Sequence, residues 1–405
     1  MKEIYKMSDI FSTRLAHSGD GQEEKVLREY KSVPEVQPVY MTSVFAFDDI
    51  ESVDDIYEGK ADGYIYSRIK HPNSDAVAKV LADIEGAEDG AVFSSGMAAI
   101  VTSIISVVKA GDHIVSAPVL YGGVRDYLEN EIKRFGVEVT FTDFSDPENI
   151  RKAIRPNTKL VYTETISNPL IEVPDIEAAA KIAHENGALF FIDNTFASPI
   201  MANPVKFGAD VVLYSATKYL GGHSDLVGGA AVGKKDVLAL IKKKLILYGA
   251  TLGPAESWLL ARSLRTLDLR VTKQSENALK VAKYLETDPA VTKVYYAGLE
   301  SSPYHKLADK FFNNGLYGGM LSVDIKGGVE EVENVVKKLG FIKNVPSLAG
   351  TSTSVSYPAK TSHRAYSKEE LDKAGITLGL LRFSIGIESA DDIIAAIKEA
   401  LKDIR

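Results

Sequence analysis

The chain has 405 residues, a formal net charge of −8, 45% hydrophobic and 25% charged residues, and no cysteine. That is the composition of a soluble globular protein long enough for two domains, and the interspersed acids and lysines leave no basic footprint for nucleic acid. The missing cysteines exclude disulfides, thiolate zinc sites and cysteine nucleophiles. The opening stretch MKEIYKMSDIFSTRLAHSGD lacks the uninterrupted apolar core of a signal peptide, and no run of about 18 apolar residues follows, so a cytoplasmic chain without a membrane span is expected.

Residues 1–70 are polar and irregular, too poor in periodic apolar pattern to fold alone, and read as an N-terminal arm. Over 71–253 short apolar runs alternate with helical patterns. A helix is expected at 75–85, a strand at 91–93, a helix at 96–109, a strand at 113–120, a helix at 124–135 and a strand at 137–143. Further strands are expected at 159–165, 188–194, 210–216 and 229–233, with a helix at 175–186. This rhythm predicts an α/β domain, a mainly parallel central sheet with helices on both faces. Residues 254–405 form the remainder: Pro254 opens one long helical pattern over 254–286 that bridges to a smaller α+β domain. That domain has strands expected at 291–296, 319–325 and 381–387 and helices at 329–339 and 389–403.

Ligands of open α/β sheets sit at the carboxyl ends of the strands, and here those ends carry chemistry. The run at 91–93 is followed by Ser95, Gly96 and Met97 at a helix start, a plausible anion site. Later strands are followed by Tyr121, by Asn168, by Asp193, and by Ser215, Thr217 and Lys218. Taken singly, each has a bland reading as turn former, cap or solvated lysine. Together, a phosphate cradle, an aromatic, a carboxylate and a lysine match the needs of one cofactor, pyridoxal 5′-phosphate. Lysine suits the covalent attachment because its amine loses its proton when desolvated. The seven histidines show no metal-ligand spacing, His223 reads as a loop hydrogen-bonder, and no Gly-x-Gly-x-x-Gly turn supports a dinucleotide enzyme.

The stretch SATKYLGGHSD around Lys218 resembles the cofactor-lysine signature of the Cys/Met-metabolism (trans-sulfuration) family of fold-type I pyridoxal-phosphate enzymes. That family holds cystathionine γ-synthases, cystathionine lyases, methionine γ-lyases and O-acylhomoserine sulfhydrylases. YIYSRIKHPN (64–73), FSSGMAAI (93–100), LYGG (120–123), ETISNP (164–169), FIDNTFASP (191–199), PSLAGTSTSVSYPAKTSH (346–363) and LLRFSIGIE (380–388) extend the resemblance in order. It implies the fold-type I aminotransferase-like architecture. It implies that Lys218 is the Schiff-base lysine and moves protons, that Asp193 pairs with the pyridinium nitrogen, and that Tyr121 stacks on the ring near the leaving group. It places Ser95, Gly96, Met97, Ser215 and Thr217 on the phosphate, with Tyr66 and Arg68 reaching it from a neighbouring subunit. It gives Asn168 and Arg382 the substrate carboxylate, and Ser347 and Leu348 the substrate side. A homo-oligomer follows, a tetramer of two dimers with shared active sites.

The implied reaction is γ-elimination of a thiol from methionine or a related amino acid, giving 2-oxobutanoate and ammonia. The alternative is γ-replacement on an O-acylhomoserine, and a non-enzymatic alternative is a regulatory protein on the same fold. Cystathionine-handling relatives commonly carry glutamate before the Ser-Leu pair and in the following Gly-x-Glu run. Here those positions are Pro346 and Ser352, which argues against a site built for a distal ammonium. Methionine γ-lyases usually have cysteine two residues after the stacking tyrosine, where this chain has Gly123.

Overall fold

The computed structural model describes residues 11–17, 34–364 and 366–404. A seven-stranded sheet is built from β1 (Asp89–Phe93), β2 (His113–Ser116), β3 (Glu138–Phe141), β4 (Thr158–Glu164), β5 (Leu189–Asp193), β6 (Val211–Ser215) and β7 (Gly229–Gly233). Its order is β1-β7-β6-β5-β4-β2-β3. The four central and outer strands β3, β2, β4 and β5, with β6, run parallel; β7 is antiparallel to both neighbours. Strands this rich in Val, Ile, Leu and Phe must be covered on both faces, and helices such as Pro72–Glu85, Gly96–Val107 and Ile176–Glu185 do so.

A second sheet, of β8 (Val291–Tyr295), β9 (Met320–Ile325), β10 (Lys343–Asn344), β11 (Ser354–Ser356) and β12 (Leu380–Ser384), has the order β10-β11-β12-β9-β8. Helices Val329–Lys338 and Ala390–Leu401 pack on it around a separate core. The helix Leu267–Leu285 joins the two bodies, giving Leu267 and Val271 to the first core and Val281 and Leu285 to the second.

The central sheet is mainly parallel, as expected, and antiparallel at β7, because β6 and β7 are joined by 216–228 without a crossover helix, and a helix is the usual means of returning a chain parallel. Two expectations are corrected. The helical pattern at 254–286 is two helices, Pro254–Leu264 and Leu267–Leu285. Thr266 leaves helical geometry, and the Ser263 carbonyl that the break exposes accepts from Arg270 Nη2 at 2.9 Å. The helix at 124–135 is α-helical only over Gly122–Asp126, then a π turn over Tyr127–Glu131 and a 3₁₀ turn over Ile132–Phe135. Its apolar residues Val124, Leu128 and Ile132 recur every four, so each would drift about 40° around a regular helix. The wider π turn offsets that drift, and all three are fully buried.

Residues 1–10 and 18–33 of the expected arm lie outside the described residues. The part described from 34 to 70 forms one helix, Ile50–Tyr57, that buries none of its residues. Met41, Ile50 and Tyr57 are among its exposed apolar side chains. No helix among the described residues is long and apolar enough to cross a membrane.

Candidate active site

The carboxyl ends of β4, β5 and β6 open into a cavity of about 640 Å³ closed on the other side by the 346–348 and 360–364 loops and by β12. Ser95, Gly96, Met97, Tyr121, Asn168, Asp193, Ser215, Thr217, Lys218, Ser347, Leu348 and Arg382 all line it. The structure thus brings together twelve of the fourteen residues expected at the site, drawn from stretches almost 290 positions apart in sequence.

Lys218 follows β6 in the turn that begins the connection to β7. Its N–H donates to the Ser215 carbonyl, and Nζ donates to Ser347 Oγ at 2.9 Å. No carboxylate is ion-paired with it among the described residues. Burial, with the nearby Arg382 charge, pushes its pKa below that of an ordinary lysine, favouring the neutral amine. The turn is held from below by Arg270, whose Nη1 donates to the Tyr219 carbonyl at 2.8 Å. Gly222, at φ 69°, lies so close that a Cβ there would stand 1.8 Å from Arg270 Nη1, so the glycine serves the approach as well as the turn. His223 Nδ1 meets the Gly221 carbonyl at 2.7 Å, a local loop contact.

Asp193 ends β5 with its carboxylate buried in the cavity floor. Oδ1 accepts the Thr195 N–H at 2.9 Å, and Thr195 Oγ1 in turn accepts the Ser215 N–H at 2.7 Å. Thr195 therefore fixes both the acid and the last residue of β6, a role sequence reasoning missed.

Ser95 caps the helix Gly96–Val107, its Oγ accepting the Ala98 N–H at 3.0 Å. That leaves the first N–H groups of the helix, at Gly96 and Met97, without an intrahelical acceptor and directed at an anion position. A Cβ on Gly96 would lie 2.7 Å from Ser215 Cβ, so only glycine lets the helix start and the β6 end form one cradle. Thr217 Oγ1 is shared with Gly228, accepting its N–H at 3.1 Å.

Arg382 on β12 is buried, and its Nη1 donates to Asn168 Oδ1 at 2.7 Å. Burial lowers its pKa to about 10, which still leaves a full cation at neutral pH. With no carboxylate beside it among the described residues, its remaining donors suit an incoming carboxylate. Tyr121 stands half exposed at the rim, and its N–H donates to Glu164 Oε1 at 2.6 Å. Gly123 makes room for that ring: a Cβ there would lie 2.9 Å from Tyr121 Cε1 and 3.4 Å from Met97 Sδ.

Tyr66 and Arg68 are not in the cavity. Arg68 lies over the Tyr66 ring and donates from Nη1 to the Ile246 carbonyl at 2.7 Å, on the outside of the first domain. Their absence from their own chain's cavity is what an assignment to a neighbour's site requires. Pro346 lines the cavity, whereas Ser352 does not, so only the first of the two substitutions weighed against a distal ammonium bears on substrate. Glu164, Lys360 and Arg364 also line the cavity and were not singled out from sequence.

A buried carboxylate, a desolvated lysine, an N–H cradle that a single methyl would fill and a buried arginine with no carboxylate partner among the described residues fit pyridoxal phosphate and an amino-acid carboxylate as a set. The sequence matches the profile of the family described as "Cys/Met metabolism PLP-dependent enzyme" over residues 12–402. An L-methionine gamma-lyase of Treponema denticola is 40% identical over 99% of this chain and 98% of its own. A cystathionine gamma-lyase of Bacillus subtilis is 42% identical over 85% of this chain and 90% of its own. Among solved structures, a Campylobacter jejuni protein assigned as an O-acetylhomoserine (thiol)-lyase superposes with a TM-score of 0.90 at 31% identity, covering 97% of this chain and all of the other. That structure contains N′-pyridoxyl-lysine-5′-monophosphate.

Proposed function

The chain belongs to the Cys/Met metabolism family of PLP-dependent enzymes, and on that footing we propose that it converts methionine, or a close sulfur analogue, and water to 2-oxobutanoate, ammonia and a thiol. When bound, pyridoxal 5′-phosphate draws off the electrons left on Cα and so eases removal of protons from Cα and Cβ. Lys218 would anchor it, Asp193 would face its ring nitrogen, and the Gly96 and Met97 N–H groups with Ser215 and Thr217 would hold its phosphate. Arg382, braced by Asn168, orients the substrate through its carboxylate. The Lys218 amine, whose charged form burial disfavours, takes the Cα proton and carries it within the site. The Tyr121 hydroxyl is the acid that protonates the departing thiol. In the proposed assembly of two dimers, a second copy brings Tyr66 and Arg68 to each site.

The observation that carries the substrate choice is the charge of the cavity lining. Its acids are Glu164 and Asp193, both at strand ends on the floor, and the 346 position beside Ser347 is proline. A distal ammonium, as in cystathionine, finds no carboxylate at the 346–348 loop, whereas an uncharged thioether needs none. The exposed Arg364 at the rim supports a second reading, replacement on a homoserine esterified with an acidic acyl group. Incubating holoenzyme separately with methionine, cystathionine, and the O-acetyl and O-succinyl esters of homoserine plus sulfide decides between them. Methionine alone is expected to yield 2-oxobutanoate and methanethiol. Turnover confined to an ester with sulfide would overturn the proposal in favour of replacement.

A further inference from the structure

The floor of the cavity holds two carboxyl groups where the expected cofactor calls for one. Glu164 ends β4 and Asp193 ends β5, and the two are direct register partners in the parallel pair, so their side chains leave the sheet on the same face. Both are more than nine-tenths buried. Asp193 is supported by Thr195 through its N–H. Among the described residues the Glu164 carboxyl accepts only the Tyr121 N–H, through Oε1 at 2.6 Å. Tyr121 immediately precedes the helix Gly122–Asp126, so this bond sets where the rim tyrosine leaves the chain.

Two adjacent buried carboxylates without a cation between them do not both ionise. Around Glu164 stand Asp193 on β5 and Tyr162 on its own strand, with Lys218, Lys360, Arg364 and Arg382 lining the same cavity and Arg125, Glu129, Asp143, Glu172, Tyr304, His363, Tyr366 and Glu370 lining a second cavity that Glu164 also borders. Asp193 is the one charge among them close enough to act on it, and it disfavours a second negative charge. Burial acts in the same direction. Glu164 has fewer hydrogen bonds to its charged form than Asp193, so the shared proton resides on Glu164.

We infer that Glu164 is a positioning residue: a neutral carboxylic acid that fixes the Tyr121 main chain while leaving Asp193 as the single anion of the cavity floor. This deepens the reading of the site as an eliminase and rests on it for Tyr121's part in turnover. An ionised Glu164 would accept the same N–H but would place a second negative charge beside the ring-nitrogen partner, splitting the attraction meant for one atom. A neutral one keeps the anchor and removes the competition.

The test uses Glu164→Gln, whose amide oxygen accepts the Tyr121 N–H and which carries no charge, and Glu164→Leu, which keeps bulk but has no acceptor. Infrared difference spectra between native protein and Glu164→Gln, with and without cofactor at neutral pH, are expected to show the loss of a protonated-carboxyl C=O band. Glu164→Leu is expected to lower kcat on methionine at least about tenfold, with Glu164→Gln recovering most of that loss. The pH dependence of the bound cofactor's absorbance should be the same in native protein and Glu164→Gln. A difference spectrum showing a lost carboxylate band, or a Glu164→Gln variant as impaired as Glu164→Leu, would overturn the assignment. If native holoenzyme eliminates no thiol from any sulfur amino acid, the proposed reaction fails, and the infrared comparison still decides the protonation of Glu164.

Discussion

At the scale of single residues, the site depends on close approaches that only particular side chains permit. Gly96 against Ser215 is one of these, at the phosphate cradle, so Gly96→Ala should raise the cofactor dissociation constant at least about tenfold, read by fluorescence titration of cofactor-free protein. Unchanged affinity would mean the cradle binds nothing. Arg382→Lys keeps the charge but loses the planar fork, and kcat/KM for methionine is expected to fall about 10- to 100-fold. Much of this was legible in the sequence, because strand ends are where such chemistry sits, and Lys218, Asp193 and Tyr121 each follow or end an apolar run; Arg382, in the middle of β12, was reached only through the family resemblance. Thr195 and Glu164 were not legible in the same way. Thr195 acts through hydrogen bonds to two different strands. Glu164 matters because register sets it beside Asp193, and pairing between β4 and β5 cannot be read from either strand alone.

At the scale of elements, the helix Pro72–Glu85 ends in a glutamate that is completely buried. Glu85 accepts the Tyr214 hydroxyl and the Val205 N–H, and burial raises its pKa from 4.5 to about 8. An acid whose folded-state pKa is raised contributes its stability below the unfolded value and loses it as pH rises through the folded one. Native protein should therefore lose thermal stability relative to Glu85→Gln as pH rises from about 4.5 to about 8. A melting-temperature difference between the two proteins that stays constant over that range would show that Glu85 does not titrate in the fold. Nothing in DIEG at 83–86 announces this burial, since a charged residue before glycine is what an exposed helix end also looks like. The two misread helices failed for a similar reason. Periodicity finds an apolar stripe, but the break at Thr266 depends on Arg270 satisfying a freed carbonyl, and the π turn at Tyr127–Glu131 depends on what Leu128 packs against. The strands of the first sheet were located well because both of their faces are apolar, while the antiparallel sense of β7 follows from a connection whose lack of a helix carries no sequence signature of its own.

At the scale of the whole molecule, the described part of the arm carries apolar side chains at Met41, Ile50 and Tyr57 that the other described residues leave exposed, with Tyr66 and Arg68 outside their own cavity. The proposed assembly accounts for both, and it makes a quantitative prediction. Arg68→Ala and Lys218→Ala proteins should each be inactive or nearly so, and reassembling equal amounts should restore about a quarter of native activity, because half the dimers are mixed and one of their two sites is complete. No recovery would mean that Arg68 does not serve a neighbouring chain's site. The arm's polar composition signalled that it could not fold alone, but not which surface it would cover, which is a property of two chains. The central claim is that the Lys218 amine holds the cofactor. Borohydride reduction of the holoenzyme followed by peptide mass spectrometry should find a pyridoxyl-phosphate adduct on Lys218, and an adduct on another lysine, or on none, would contradict the account.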